Sequence, residues 1–123
     1  MRVLLAEDNA DNREMLARRL ERRGFTVDVA EDGALAVAAA NNNRPDVVLM
    51  DVSMPVMSGL EATRALRSAP ATADLKIIAL TAHAMATARD ECMAAGCDAF
   101  ATKPVDFAAL LQTIEAVTGR SAS

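Results

Sequence analysis

Five side chains in this sequence have types and places that could do chemistry together. Glu7 and Asp8 follow directly on an apolar run at residues 3–6, and Asp51 follows a run at 47–50. Thr81 follows a run at 77–80, and Lys103 stands just beyond a run at 99–101. Carboxylates crowded together repel one another and raise their pKa values unless a cation joins them. Hard oxygen ligands that only partly enclose a site suit Mg2+, which keeps several waters and takes one or two carboxylates plus phosphate oxygens. Lys103 adds a point charge that can pair with Asp51 or with a phosphoryl oxygen. Thr81 offers a hydroxyl donor to the same oxygen. Asp51 in such company is a carboxylate nucleophile, able to form an acyl phosphate. Phosphoryl transfer asks for in-line positioning, a metal and charge neutralisation more than for covalent help, and this set supplies each of them.

These residues can meet only if the chain folds to bring the ends of those runs together. Apolar runs at 3–6, 25–29, 47–50, 77–80 and 99–101 alternate with Ala/Leu/Arg/Glu-rich stretches of helical spacing. Leu16 and Leu20 stand four apart among Arg13, Arg18, Arg19, Arg22 and Arg23, which predicts an amphipathic helix with a basic outer face. Gly24 stops it. Ala62, Thr63 and Leu66 repeat the pattern after Leu60, with Arg64 and Arg67 outward, and Ser58 with Glu61 has capping-box spacing. Asp106 is a suitable N-cap for a last helix through Leu110, Leu111 and Ile114. The pattern is βα repeated five times. Continuously apolar strands are buried on both faces, and right-handed crossovers then give a parallel sheet with helices on both sides, an α/β doubly wound fold. In such sheets ligands sit outside the carboxyl ends of the strands.

Length and composition bound the rest. A chain of 123 residues makes one domain, read as residues 1–119 with a tail at 120–123. No apolar run approaches the ~18 residues of a membrane span, and the N-terminus has no signal-peptide pattern, so a cytoplasmic location without membrane attachment is expected. A net charge of −4, with three Phe and no Tyr or Trp, argues against direct nucleic-acid binding. Cys92 and Cys97 read either as two small buried thiols or as a redox sensor.

Read in order, four segments resemble the receiver (response regulator) domain of two-component signalling. They are residues 4–9 (LLAEDN), 47–59 (VVLMDVSMPVMSG), 77–82 (IIALTA) and 100–104 (FATKP), and the likeness covers essentially residues 2–118. The resemblance implies a flavodoxin-like five-stranded parallel sheet in the order 2-1-3-4-5. It implies that Asp51 accepts a phosphoryl group from a histidine kinase or histidine phosphotransfer protein. Mg2+ is then held by Asp8, Asp51 and the backbone carbonyl of Ser53, with Glu7 acting mainly through metal-bound water. Thr81 and Lys103 hold phosphoryl oxygens, Lys103–Pro104 is a cis peptide, and Phe100 occupies an aromatic switch position coupled to Thr81. The phosphoryl signal changes a face made by the fourth helix, fifth strand and fifth helix, which an unidentified output partner reads. Such a domain is a phosphoacceptor switch that catalyses only its own phosphorylation and dephosphorylation.

Other positions stay open. Ser53 and His83 stand two residues after the phosphoacceptor and the switch hydroxyl, where family behaviour is tuned; a lone His is often incidental, and His83 is better read as a partly exposed loop residue. Phe100 lacks a tyrosine hydroxyl and is either a rotating switch or plain core. Glu31 and Asp32 also end an apolar run, but in the 2-1-3-4-5 order that strand lies at the edge, where Asp32-Gly33 reads as a turn and N-cap. A haloacid-dehalogenase-like phosphatase shares the Asp, Thr, Lys and Mg2+ set but places a second acid where this chain has Ser53. A nucleotide- or flavin-binding protein needs a phosphate-cradling glycine loop after the first strand, where Glu7, Asp8 and Asn9 stand instead. The segments at 82–85 and 98–104 look more like hybrid-kinase receivers than transcription-factor receivers, and a stand-alone regulator fits as well.

Overall fold

A computed structural model describes residues 1–82 and 85–120. Five strands, β1 (Arg2–Ala6), β2 (Thr26–Ala30), β3 (Val47–Asp51), β4 (Ile77–Thr81) and β5 (Ala99–Thr102), alternate with five helices. The helices are α1 (Ala10–Arg22), α2 (Gly33–Asn42), α3 (Gly59–Ser68), α4 (Ala86–Ala95) and α5 (Phe107–Thr118). The strands form one parallel sheet in the order β2-β1-β3-β4-β5, as the resemblance implied.

Alternating side chains divide the core into two layers. Val3, Leu5, Val47, Leu49, Ile78 and Leu80 pack against Leu16 and Leu20 of α1 and Leu110 and Ile114 of α5. Leu4, Val48, Met50, Ile77 and Ala79 face Ala36 of α2, Ala62 and Leu66 of α3, and Cys92 of α4. The expectation of strands buried on both faces holds for β3 and β4, which are buried throughout, and nearly so for β1. It fails at the two edges. β2 exposes Thr26 and Val29, and β5 has no buried residue, because an edge strand lacks a neighbour on one side.

Local signals set the helix ends. Asn9, Asp32, Ser58 and Asp106 each accept a backbone N–H three residues on, and Ser58 with Glu61 completes the capping box. Phe25 belongs to the end of α1 rather than to the second strand. Gly24, at φ 92°, turns the chain left-handed, its N–H bonds to Glu21, and the Phe25 N–H reaches back to Leu20. The Phe25 ring then packs with Leu16 and Leu20, as the apolar residue after such a turn commonly does. At the far end of the chain, Gly119 closes α5 and Arg120 pairs with Asp46 at 2.7 Å. No helix among the described residues is long and apolar enough to cross a membrane.

Candidate functional site

The parallel sheet points every strand's carboxyl end to one rim, and four elements place their next residues there. Glu7 continues β1, Asp51 ends β3, Thr81 ends β4 and Lys103 follows β5. Glu7, Asp51 and Thr81 are all buried. The Lys103 N–H bonds to the Thr81 carbonyl at 2.8 Å, and the Lys103–Pro104 peptide is cis. The ammonium then lies 2.8 Å from Glu7 Oε2 and 2.8 Å from Asp51 Oδ2. The backbone N–H of Ser53 donates to Asp51 Oδ1 at 3.2 Å.

Close packing behind Asp51 fixes this geometry. A Cβ on Gly59 would stand 2.0 Å from the Asp51 carbonyl oxygen, so only glycine lets α3 start there. The Gly59 N–H donates to the Val52 carbonyl at 2.9 Å, tying the helix to the residue after Asp51.

Charge at the site does not balance. Carboxylate oxygens of Glu7, Asp8 and Asp51 all lie within 4.8 Å of one another. Among the described residues, Lys103 is the one cation in ion-pair contact with Glu7 or Asp51. Burial is the largest cause that pushes the Asp51 carboxyl up, to about 6, and the Glu7 charge adds to it against the pull of Lys103. Burial alone would lower the Lys103 ammonium, but Asp51 and Glu7 outweigh it and hold it above its ordinary value. A hard divalent cation would relieve this surplus, and an incomplete cage of carboxylates fits Mg2+.

The predicted residues thus converge, with two additions the sequence did not offer. Lys103 bridges Glu7 as well as Asp51, so the two carboxylates share one ammonium. Arg13 of α1 donates to the Glu7 backbone carbonyl at 2.9 Å and stands 3.7 Å from Glu31. The sequence had read Arg13 as part of the basic outer face of this helix, and its reach to Glu7 carried no local signal. Asp32 caps α2 and takes no part in the carboxylate cluster, as its edge position implied. Phe100 is half-buried against the α2/α3/α4 layer, with the Arg89 guanidinium 5.7 Å from its ring centre. His83 lies outside the described residues. Cys92 and Cys97 are buried free thiols, and burial pushes Cys97 up to about 11, the opposite of a reactive thiolate.

Residues 3–115 match the family model of the response regulator receiver domain. The hybrid signal transduction histidine kinase I of Dictyostelium discoideum is 38% identical over 120 residues, which cover 92% of this chain and 7% of that protein. The first curated relatives it matches are longer proteins, of which the chain spans 7% to 52%. The receiver domain of the sensor histidine kinase PA1611 of Pseudomonas aeruginosa PAO1 superposes with a TM-score of 0.89 at 35% identity, covering 97% of this chain and 98% of that one. That structure has a magnesium ion coordinated in its active site cleft. The receiver domain of the Saccharomyces cerevisiae response regulator Ssk1, crystallised with the histidine phosphotransfer protein Ypd1, also gives a TM-score of 0.89, at 28% identity over 97% of this chain and 89% of that one. With the sheet order, the rim and these likenesses in agreement, the chain belongs to the response regulator receiver domains of two-component signalling systems.

Proposed function

We propose that Asp51 is the phosphoacceptor and that its phosphorylation by a histidine kinase or histidine phosphotransfer protein switches this domain. The observation that carries the reading is the buried Asp51 carboxylate, 2.8 Å from the Lys103 ammonium and set among Glu7 and Asp8. In its ionised form an Asp51 oxygen attacks the phosphorus of a phosphohistidine. The new O–P bond forms as the P–N bond breaks, and the electron pair leaves with the imidazole nitrogen, which takes a proton from solvent. Lys103 and Thr81 hold the phosphoryl oxygens in place, and Ser53 sets access beside Asp51. Asp8, Asp51 and the Ser53 carbonyl would hold Mg2+, with Glu7 reaching it through water. Bound there, Mg2+ neutralises charge on the transferring group.

The phosphoryl group adds about −1.5 to −2 of charge at the rim. Thr81 moves toward it, Phe100 turns inward, and the α4-β5-α5 face changes for an output partner. A coupling of about 1–3 kcal/mol is enough for useful regulation. The domain works as a switch, without steady turnover of a substrate. Residues 1–119 form the switching unit and 120–123 its tail. Buried free thiols suit a reducing compartment, which supports a cytoplasmic location.

Treatment with an acyl phosphate and Mg2+, followed by intact-mass measurement, should show one added phosphoryl group on the wild type and none on Asp51→Asn. Equal labelling of that variant would overturn the assignment.

A further inference from the structure

α4 is held very differently at its two ends. Its C-terminal end closes on Gly96, whose carbonyl accepts from Arg67 Nε at 2.8 Å. The same guanidinium pairs with Asp98, whose carboxylate accepts the Ile77 N–H. The N-terminal end, nearer Thr81, begins at Met85, which provides no side-chain cap. Arg89 sits one turn into this lightly held end. Its helix neighbours at i−4 and i+4 are Met85 and Met93, so no carboxylate on that stripe competes for it. Among the described residues, the one side-chain partner of the Arg89 guanidinium is the Phe100 ring, 5.7 Å away. Phe100 pairs with Ala79 in the β4–β5 register, and Thr102 with Thr81 two residues on. Strand alternation therefore puts Ala79, Thr81 and Phe100 on one face, with the small Ala79 as the strand neighbour of Phe100.

We propose that Arg89 is a positioning residue for the switch: its guanidinium holds the Phe100 ring in the half-buried position and sets how readily the domain turns on. The inference rests on the reading of Phe100 as the element that moves. A cation over an aromatic face is attracted by the ring quadrupole, and that attraction is lost when the ring turns inward or when α4 shifts. Arg89 thereby biases the resting domain toward the off arrangement. A ligand that needs the on arrangement binds more weakly by the fraction of molecules held off. Arg89 touches neither the carboxylates nor Lys103, so its removal should leave the phosphorylation chemistry in place.

Three phenylalanines, at 25, 100 and 107, make the test direct. Protein labelled with 4-fluorophenylalanine gives three fluorine resonances, and Phe100→Leu and Phe107→Leu assign the lines by loss, leaving that of Phe25. Mg2+ with beryllofluoride, a phosphoryl mimic, should shift the Phe100 line of the wild type. In Arg89→Ala and in the neutral Arg89→Gln, that line should move toward the bound position without beryllofluoride, while the Phe25 line stays put. Beryllofluoride should bind these variants about two- to fivefold more tightly, and Arg89→Lys should fall between. If the wild-type Phe100 line ignores beryllofluoride, the reading of Phe100 as a switch falls, and the latch falls with it. If it responds but the Arg89 variants match the wild type in shift and affinity, the latch alone is overturned.

Discussion

The two ends of the sheet use the same residue types to opposite effect. At the carboxyl rim, Asp51 shares one ammonium with Glu7, beside Asp8, and its carboxyl is pushed up to about 6. At the amino rim, Asp46 accepts the Arg2 backbone N–H at 2.7 Å and pairs with Arg120, and its carboxyl is held below the ordinary value. Close by, Asp28 pairs with Arg2, Asp74 with Arg44 and Asp98 with Arg67. One end is neutralised within the chain. The other is left short of positive charge, which costs stability and suits the proposed role of this rim in holding Mg2+ and a phosphoryl group. Unbalanced buried charge and carboxyls pushed up by burial cluster at functional sites.

The contrast between the two rims depends most on Lys103. Lys103→Met removes the cation that touches both Glu7 and Asp51 while keeping the length of the stem. Labelling of Asp51 by an acyl phosphate should slow by about 10²-fold, the cost typical of losing one preorganised partner of a developing charge. A rate within twofold of the wild type would mean that Lys103 only fills space at the rim.

The next effect is on stability, and it runs against the intuition that removing a site weakens a protein. Between pH 3.8 and about 6 the folded domain keeps a proton on Asp51 that the unfolded chain has released. Stability therefore falls as pH rises through that window and stays lower above it. Asn at position 51 cannot ionise. With chelator present, Asp51→Asn should be more stable than the wild type at pH 7.5 by about 1–3 kcal/mol. The difference should shrink to nothing below pH 4. Urea unfolding at the two pH values measures it, and a less stable variant at pH 7.5 would show that Asp51 is not strained as its surroundings imply.

Much of this was legible in the sequence, for reasons that differ from residue to residue. Strand ends were legible because apolar runs are local and the acids follow them directly. Helix starts at Asp32, Ser58 and Asp106 were legible because a cap bonds three residues away. The sharing of Lys103 by Glu7 and Asp51 was not, since it joins positions 96 and 52 residues apart through the sheet order. The exposure of β2 and β5 was missed because the runs alone read as buried on both faces, although the order 2-1-3-4-5 already put those two strands at the edges. Phe25 misled because a β-prone residue beside a strand looks like part of it, while its N–H and ring both serve the end of α1. Arg67 looked like one more outward arginine of an amphipathic helix. Its reach to Gly96 and Asp98 depends on where α4 returns to the sheet.

The smallest effect tests the neutralised end. The Asp46 carboxyl is held low chiefly by the Arg2 backbone N–H, against partial burial, with Arg120 adding charge. Its contribution to stability is present above the ordinary carboxyl value of 3.8 and is lost as pH falls through the lower folded value. Asn at this position keeps an acceptor for Arg2 but loses the charge, and the pair with Arg120 is open to solvent. Asp46→Asn should therefore cost only about 0.5–1 kcal/mol at pH 7.5. As pH falls below 4 the deficit should close. The two Asp→Asn changes thus start with opposite signs at neutral pH and converge with the wild type in acid. If Asp46→Asn were instead stabilising at pH 7.5, the amino rim would be strained too, and surplus negative charge would no longer distinguish the rim that holds Asp51.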